Sequence, residues 1–363
     1  MKKIYFEEIP FVRAIACLMV VFVHITSSSF TDKAGSTNLL NVFLSQYSML
    51  GAPIFAVISA FLLFGSVKQR KFSLQRFAIS RTTKIIIPFI LWTFFYLWAK
   101  TLLGYKMLVD FDSISKYLMF GTAHYHLYFM VTVIQFYLVF PLVQFIHNRK
   151  IILALFFLSL PINFLWFTSE GFITQIELLD SIINHRSFIL NWVSFFLFGA
   201  VLAYYYQEIV TFVKAKRPYF IGLLGVLFTA LYLEVNPEEL FISSRPVNLI
   251  YVPIFVLGLM SIYGVIAKNN GVKTIFEVIG TYSMGIYLIH PLIKLILIRN
   301  LPSIYFDTYL IIFTAFLTVI ISMIIVRVIL FLPISPYIIP VGKVKKNVIH
   351  INRRRENESQ VLQ

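Results

Sequence analysis

Residues 85–103 read IIIPFILWTFFYLWAKTLL, an apolar stretch that carries one charged residue, Lys100. An α-helix rises about 1.5 Å per residue, so a helix of this length can cross the roughly 30 Å of hydrocarbon in a bilayer. Residues 309–325, YLIIFTAFLTVIISMII, form a second such stretch, and similar stretches recur along nearly the whole chain. The sequence therefore predicts a protein that crosses the membrane many times.

The composition of the chain agrees with this prediction. Of the 363 residues, 59% are hydrophobic and 13% are charged, and the mean hydropathy is +0.83, whereas about a quarter of the residues in soluble domains are charged. We predict an all-α fold, a polytopic membrane helical bundle of about ten transmembrane helices. The predicted spans are residues 10–30, 47–67, 85–104, 125–146, 151–168, 188–206, 218–234, 247–267, 277–298 and 308–333.

The chain is predicted to form one membrane domain with a short tail. It contains no Gly/Ser-rich linker and no soluble stretch long enough for a second domain. We assign residues 1–340 to the membrane domain and residues 341–363 to a basic cytoplasmic tail. The tail is polar and includes three consecutive arginines at 353–355, so we expect it to be disordered and to lie near anionic lipid headgroups.

The positive charge of the chain is distributed in the pattern of a membrane protein. The formal net charge is +15. Basic clusters occupy every second gap between the apolar stretches, and acidic residues fall mostly in the intervening gaps, which carry fewer basic residues. Because basic loops face the cytoplasm, this alternation predicts a multi-pass protein of the cell membrane with both termini cytoplasmic. We expect membrane lipids as partners and no nucleic acid. The basic clusters, in every second gap, are at residues 2–3, 68–84, 149–150, 214–217, 268–273 and 343–355.

The first apolar stretch is predicted to be a retained helix rather than a cleaved signal peptide. Arg13 and His24 interrupt it, and no convincing cleavage site of small residues follows. The single cysteine of the chain, Cys17, also lies there, which excludes an intrachain disulfide and a cysteine-based zinc site. We expect Cys17 to be a small residue that packs between helices.

Arg13 and His24 are ionisable residues inside a predicted span, where such residues are rare and often functional. Their separation of eleven residues amounts to three helical turns plus about 20°, so both project from one face, roughly 16 Å apart along the axis. Ser27 and Ser28 lie on the same side, one turn further on. This stripe suits a site where an anionic donor enters from the cytoplasm and its reactive end reaches a buried base. Alternatively, Arg13 anchors the helix end and His24 bonds to a neighbouring helix.

A basic run precedes the span that starts near Pro88. It contains Arg76, Arg81 and Lys84. Arg81 and Lys84 are one helical turn apart, so both could contact a single polyanion such as the phosphates of coenzyme A. Anchoring of the span at the cytoplasmic surface explains the run equally well.

Two further segments carry candidate polar residues. His124 and His126 precede Tyr128 at the predicted outer start of the fourth span. Two histidines at i and i+2 on a helix point apart, so a shared metal is not expected, and an interfacial aromatic belt would explain the tyrosines. The other segment, residues 280–291, has the spacing of a closely packed helix with a proline kink, and kinks often mark cavities. It contains Ser283, Tyr287 and His290.

The sequence lacks several motifs that would indicate other chemistry. It contains no Walker-type phosphate loop, no H-E-x-x-H, no G-x-S-x-G and no dinucleotide fingerprint. ATP-driven transport, serine hydrolysis and a bound metal therefore have no basis in the sequence.

Taken together, these residues resemble the acyltransferase-3 family of integral-membrane acyltransferases over nearly the whole chain. The resemblance rests on Arg13 and His24 at the Arg-x10-His spacing, the basic run ending in Pro88, the His-Leu-Tyr-Phe segment at 126–129 and residues 280–291. Lys84 stands where many members have the second arginine of Arg-x-x-Arg, and Tyr128 stands where they usually have tryptophan.

The resemblance implies a catalytic role for His24 as the base, with Arg13 beside the donor. It also implies an acyl-CoA donor substrate, most often acetyl-CoA, with no permanently bound cofactor, and a hydroxyl acceptor on a cell-envelope polysaccharide or lipid-linked glycan. We expect Arg13, Arg76, Arg81 and Lys84 to bind acyl-CoA. Glu170 and Glu177 are the candidates for a carboxylate that orients His24. The possible acceptor or structural residues are His126, Tyr128, Ser283, Tyr287 and His290.

Two other functions remain open from sequence. One is a polysaccharide exporter or flippase that works beside a glycan synthase, a role assigned to some relatives, although no inverted repeat or pair of broken helices is evident. The other is a non-enzymatic scaffold for envelope assembly, which leaves the Arg13 and His24 stripe unexplained. For the acyltransferase, we expect glycan synthase or export proteins as partners, and the acyl group could be acetyl or succinyl.

Overall fold

The computed structural model describes residues 6–27, 39–69, 72–169, 171, 173–237, 241–307 and 309–341, in which every regular element is a helix. The predicted all-α class is therefore confirmed. The predicted tail, both chain termini, Ser28 and Glu170 lie outside the described residues, apart from Val341.

The helices of the first half are α1 (Glu8–Thr26), α2 (Leu39–Ser48), α3 (Gly51–Gln69), α4 (Leu74–Arg81), a π-helical turn (Thr82–Ile86), α5 (Ile87–Leu102), α6 (Phe111–Phe120), α7 (Tyr128–Val143) and α8 (Arg149–Thr168). Those of the second half are α9 (Glu177–Ile183), a 3₁₀ turn (Ile189–Asn191), α10 (Val193–Tyr204), α11 (Tyr206–Ala215), α12 (Arg217–Leu233), α13 (Asn248–Ile266), α14 (Asn270–Asn300), α15 (Pro302–Tyr305), α16 (Ile311–Ile329) and α17 (Ser335–Ile338).

Each predicted span coincides with an apolar helix of the structure. Among the described residues, seven helical stretches are long and apolar enough to cross a bilayer. The pair α10 and α11, bent by 87°, gives an eighth if it is one span, and α7 and α12 are shorter apolar helices. The chain is thus a multi-pass membrane protein, and the number ten stays a prediction. The seven stretches are Ile9–Thr26, Leu39–Gln69, Leu74–Leu102, Arg149–Thr168, Asn248–Ile266, Asn270–Asn300 and Ile311–Ile329.

Two boundaries differ from the predicted ones for local reasons. The predicted span 277–298 is part of the longer helix α14, which begins earlier because Asn269 caps the amide groups of Gly271 and Val272 at 3.0 and 3.1 Å. The predicted span 125–146 starts only at Tyr128, because residues 122–127 form turns.

The bend between α10 and α11 is fastened to the first helix. Glu8 of α1 is buried and accepts a hydrogen bond from the hydroxyl of Tyr206. Its other carboxylate oxygen lies 3.0 Å from the ammonium group of Lys214. Because a buried carboxylate needs such partners, the start of α1 and helix α11 are held together at the end that the charge pattern predicts to be cytoplasmic.

The close packing of α1 against α14 positions the candidate site. A Cβ atom added to Gly280 of α14 would collide with the backbone carbonyl of Pro10 in α1, so only glycine allows this approach. Gly199 of α10 allows the same close contact with Val57 of α3. Cys17 is buried at the α1–α14 contact, 3.7 Å from the Ser283 carbonyl, as expected for a packing residue.

Candidate active site

One cavity, the basic cavity, lies at the end of the bundle that is predicted to face the cytoplasm. Its volume is about 210 Å³, and Arg13, Arg81 and Lys84 line it together with Ser283 and Tyr137. Three of the four predicted donor-binding cations therefore converge on one space. Arg76 is exposed on α4 and is not among the lining residues.

The cations of the basic cavity are held by different contacts. Arg13 donates a hydrogen bond of 2.8 Å to the hydroxyl of Ser283, across the α1–α14 contact. The guanidinium of Arg81 lies 5.4 Å from the ring centroid of Phe77 and 5.1 Å from that of Tyr137. Lys84 lies within the π-helical turn, which begins directly after Arg81, and such turns often mark functional sites in helices. Polar contacts and aromatic faces thus direct positive charge into the cavity.

A second cavity, the histidine cavity, opens toward the other end of the bundle. Its volume is about 410 Å³, and it contains His24 and His126 among its lining residues. Tyr128, Arg186 and Lys294 also line it, as do serine hydroxyls of neighbouring segments. This space therefore combines imidazoles, aromatic rings, hydroxyls and two cations, a mixture suited to a polar acceptor.

Four histidines from three segments meet beside this cavity. The ring of His24 is stacked on that of His290 at a centroid distance of 5.4 Å, and His290 lies 5.6 Å from His126. The Nδ1 atoms of His124 and His126 are 3.3 Å apart. The ring of Tyr125 lies between His24 and His124, at 4.4 and 4.3 Å. The structure thus joins His24 to histidines that the sequence places in separate segments.

The turn before α7 explains why His124 and His126 meet, contrary to the helical geometry assumed from sequence. Gly121, with φ of +68°, ends α6 and lies against the backbone of Leu127 and Tyr128, where a side chain would collide. The Ala123 carbonyl accepts a 2.8 Å bond from Lys100, and the His126 carbonyl accepts one from the Tyr287 hydroxyl.

The end of α1 is fixed by side chains of other helices. The last carbonyl groups of a helix have no partner within it. Lys294 of α14 donates a 2.7 Å hydrogen bond to the His24 carbonyl, and Tyr305 donates a 3.3 Å bond to the Ile25 carbonyl. A cation at this end is also favoured by the helix dipole. These contacts hold the backbone of His24 in place while its ring lines the histidine cavity.

The hydrogen bond of His290 fixes its tautomer and leaves its Nε2 as an acceptor. Nδ1 of His290 lies 3.0 Å from the Ile286 carbonyl, which can only accept, so Nδ1 carries the hydrogen. Nε2 of His290 and Nε2 of His126 are buried and have no hydrogen-bond partner within the described chain. Of these two residues, His126 lines the histidine cavity, so a polar group bound there would lie close to an imidazole nitrogen without a partner in the described chain.

The remaining predicted residues are distributed between the two cavities. Ser283 lines the basic cavity, Tyr128 lines the histidine cavity, and Tyr287 lines both. His290 is fully buried behind them and lines neither cavity. The predicted acceptor or structural residues are therefore divided between the two cavities, with His290 outside both.

Of the two candidate carboxylate partners of His24, Glu170 lies outside the described residues. Glu177 is exposed at the start of α9, and the residues described as lining the histidine cavity include no Asp or Glu. Within the described ranges, no group of three or more His, Cys, Asp or Glu side chains is placed to hold a metal ion.

Sequence reasoning missed two cations and a tyrosine near the histidines. Lys294 stands four residues after His290 in an apolar helix, a spacing that places both on one face and could have identified it. Arg186 donates a 2.9 Å bond to the Tyr125 carbonyl and lies over the Tyr128 ring at 4.1 Å. The hydroxyl of Tyr96 bonds to the Leu288 carbonyl, and its ring packs 4.4 Å from His124. No sequence pattern signals these last two contacts.

The chain is similar to one known protein family and to several known proteins. The model of the acyltransferase-3 family, described as an acyltransferase domain, matches residues 6–327. The chain is 25% identical over 309 residues to a Staphylococcus aureus protein named as a probable poly-beta-1,6-N-acetyl-D-glucosamine export protein, covering 81% of this chain and 83% of the relative.

A Staphylococcus epidermidis protein with the same name is 22% identical over 291 residues, which cover 79% of this chain and 80% of the relative. No solved structure matches the chain. The family match covers most of the chain, including all four clustered histidines, the whole lining of the histidine cavity and every lining residue of the basic cavity except Pro340. The chain therefore belongs to the acyltransferase-3 family of membrane proteins.

Proposed function

We propose that this protein transfers an acyl group, by default acetyl, from acyl-CoA to a hydroxyl of a cell-envelope polysaccharide or lipid-linked glycan. One observation carries the proposal: a single face of α1 presents Arg13 to the basic cavity and His24 to the histidine cavity. The helix rise separates the two residues by roughly 16 Å along the axis. Such a spacing suits a long donor whose phosphates and thioester are far apart.

In this mechanism the donor phosphates contact Arg13, Arg81 and Lys84, and the thioester extends toward His24. Arginine can hold a phosphate through two parallel hydrogen bonds, whereas Lys84 supplies a point charge. Arg76, the fourth cation predicted to bind the donor, is exposed and does not line the basic cavity. We therefore propose no contact between Arg76 and the donor.

The chemical step uses His24 as a general base. The acceptor hydroxyl donates its proton to the imidazole while its oxygen attacks the thioester carbonyl, so a C–O bond forms and the C–S bond breaks. CoA leaves as a thiolate and takes up the proton from the imidazolium, which restores neutral His24. Lys294 acts indirectly, because its bond to the His24 carbonyl positions the end of α1.

The test uses purified protein in detergent with radiolabelled acetyl-CoA and a panel of envelope glycans that includes poly-N-acetylglucosamine. We expect label in at least one glycan with the wild type, and its loss in His24→Ala. His147→Ala is the matched control, because His147 is exposed and outside both cavities. Full activity in a folded, membrane-inserted His24→Ala protein would exclude His24 as the base.

The names of the relatives favour a second candidate, glycan export. This function predicts that a labelled oligosaccharide crosses the membrane of a proteoliposome without consumption of acyl-CoA. An exporter needs a continuous path, whereas aromatic side chains lie between the two cavities in this conformation. Movement of glycan that is independent of acetyl-CoA and unaffected by His24→Ala would favour the exporter over the transferase.

A further inference from the structure

Three aromatic residues form the boundary between the two cavities. Phe55 of α3, Phe129 of α7 and Tyr287 of α14 line both the basic cavity and the histidine cavity, and they are the residues shared by the two described linings. We call this set the aromatic partition. Because its members come from three different helices, the partition borders the passage between the cavities on three sides.

The three rings are not held equally. The hydroxyl of Tyr287 bonds to the His126 carbonyl, and its ring lies 5.1 Å from the His126 ring. Phe129 is buried and packs edge-on against Trp192 at 5.3 Å. Phe55 is half-buried and forms no aromatic ring contact with another described residue. Phe55 is therefore the member whose side chain can move at the smallest loss of packing.

We infer that the aromatic partition selects the acyl group, admitting short uncharged acyl chains to His24 and rejecting longer or charged ones. This inference rests on the proposed function. A donor whose phosphates stay in the basic cavity must pass its thioester and acyl group between these rings to reach His24. The acyl group is the part that varies between donors, so the width and polarity of the partition determine which donors react.

The length and the charge of the acyl group are selected by different physical effects. Each added methylene must fit between rings that are already packed, and discrimination in such apolar sites reaches about 10- to 200-fold per methylene. A succinyl group carries a carboxylate, and moving an unpaired charge between aromatic side chains is strongly unfavourable. The partition thus favours acetyl over both butyryl and succinyl.

The test measures ratios of transfer from acetyl-CoA, butyryl-CoA and succinyl-CoA to one acceptor by the purified full-length protein. For the wild type we expect acetyl to exceed the other two by about tenfold or more, within the range for an apolar site. Phe55→Ala and Phe129→Ala should each raise the butyryl-to-acetyl ratio about tenfold. Phe55→Leu, a smaller change, provides the same readout with less loss of packing.

The controls are buried phenylalanines on the same helices that line neither cavity, Phe61 of α3 and Phe136 of α7. Their alanine variants remove the same type of side chain. If such a change only loosens the fold, it lowers transfer of every acyl group equally, so the butyryl-to-acetyl ratio should stay at the wild-type value. An unchanged butyryl-to-acetyl ratio in both Phe55→Leu and Phe129→Ala, with acetyl transfer intact, would overturn the role of the partition but leave the proposed function standing. No transfer from any acyl-CoA by the wild type would instead overturn the proposed function.

Discussion

The two cavities of this bundle differ in how their polar groups are held. In the basic cavity, Lys84 reaches the space from a short π-helical turn and is exposed to solvent. Arg81, the residue before that turn, lies over an aromatic ring. At the histidine cavity, the backbone carbonyls of His24 and His126 accept hydrogen bonds from Lys294 and Tyr287. The His24 ring stacks on the buried ring of His290, whose Nδ1 bonds to a backbone carbonyl. The first arrangement suits electrostatic binding, which tolerates small displacements. The second suits chemistry, which requires fixed geometry.

This difference predicts that substitutions in the histidine cavity cause the largest loss of activity. His24→Ala should lower kcat by about 100- to 10,000-fold, the usual contribution of a general base, with a smaller effect on the KM for acetyl-CoA. The measurement is steady-state transfer of labelled acetyl, with membrane insertion and thermal unfolding of the variant checked in parallel. A change confined to KM would place His24 in binding rather than in the chemical step.

The two cavities share α1, so loosening the α1–α14 contact should damage both. Gly280→Ala adds a Cβ that collides with the Pro10 carbonyl, and we expect a loss of about 1–3 kcal/mol in the free energy of unfolding. Gly222→Ala on α12 is the matched control, because a Cβ there meets no atom within 4 Å. Thermal unfolding in detergent should show a lower midpoint for Gly280→Ala and an equal or higher midpoint for Gly222→Ala. Equal losses in both would contradict the packing role.

Arg13 tests the basic cavity at its most buried cation. Arg13→Gln removes the positive charge of the guanidinium group that donates the hydrogen bond to Ser283. We expect the KM for acetyl-CoA to rise about tenfold, because a hydrogen bond between a charged group and a phosphate contributes about 1.5–3 kcal/mol. Ser283→Ala removes the partner hydroxyl but keeps the charge, so its KM should rise less. An effect on kcat equal to that of His24→Ala would show that the two cavities do not divide binding from chemistry.

Lys84 should give the smallest effect and the clearest dependence on salt. It is exposed, so Lys84→Gln is expected to raise the KM for acetyl-CoA only a few-fold, with the difference from wild type shrinking as ionic strength increases. Lys84→Arg should retain wild-type activity. Arg76→Gln, in the same basic run but outside the cavity, should leave the KM for acetyl-CoA unchanged. A rise in KM equal to that of Lys84→Gln would contradict the assignment of Lys84 to donor binding and of Arg76 to anchoring at the membrane surface.

The helices and the α1 stripe could be predicted from sequence because both depend on local patterns. Apolar stretches of sufficient length determine the spans, and the eleven-residue spacing determines that Arg13 and His24 share a face. The structure then places Arg13 against Ser283 and His24 against His290, on the same partner helix. The family resemblance was confirmed by the match over residues 6–327.

The meeting of the four histidines could not be predicted, since it depends on contacts between distant segments. His126 and Tyr287 are separated by 161 positions in the chain, and the bond between them also requires the turn that ends α6 at Gly121. The aromatic partition likewise depends on how α3, α7 and α14 pack together. Neither the period of a helix nor the spacing of a motif contains this information.

The central claim is that donor and acceptor meet at His24 from opposite ends of the bundle. Proteoliposomes with the protein in one orientation, acceptor glycan sealed inside and labelled acetyl-CoA added outside, test it directly. When the basic cavity faces outward, we predict that label enters the trapped glycan with the wild type and not with His24→Ala. Equal labelling from either orientation, or from His24→Ala, would contradict the claim.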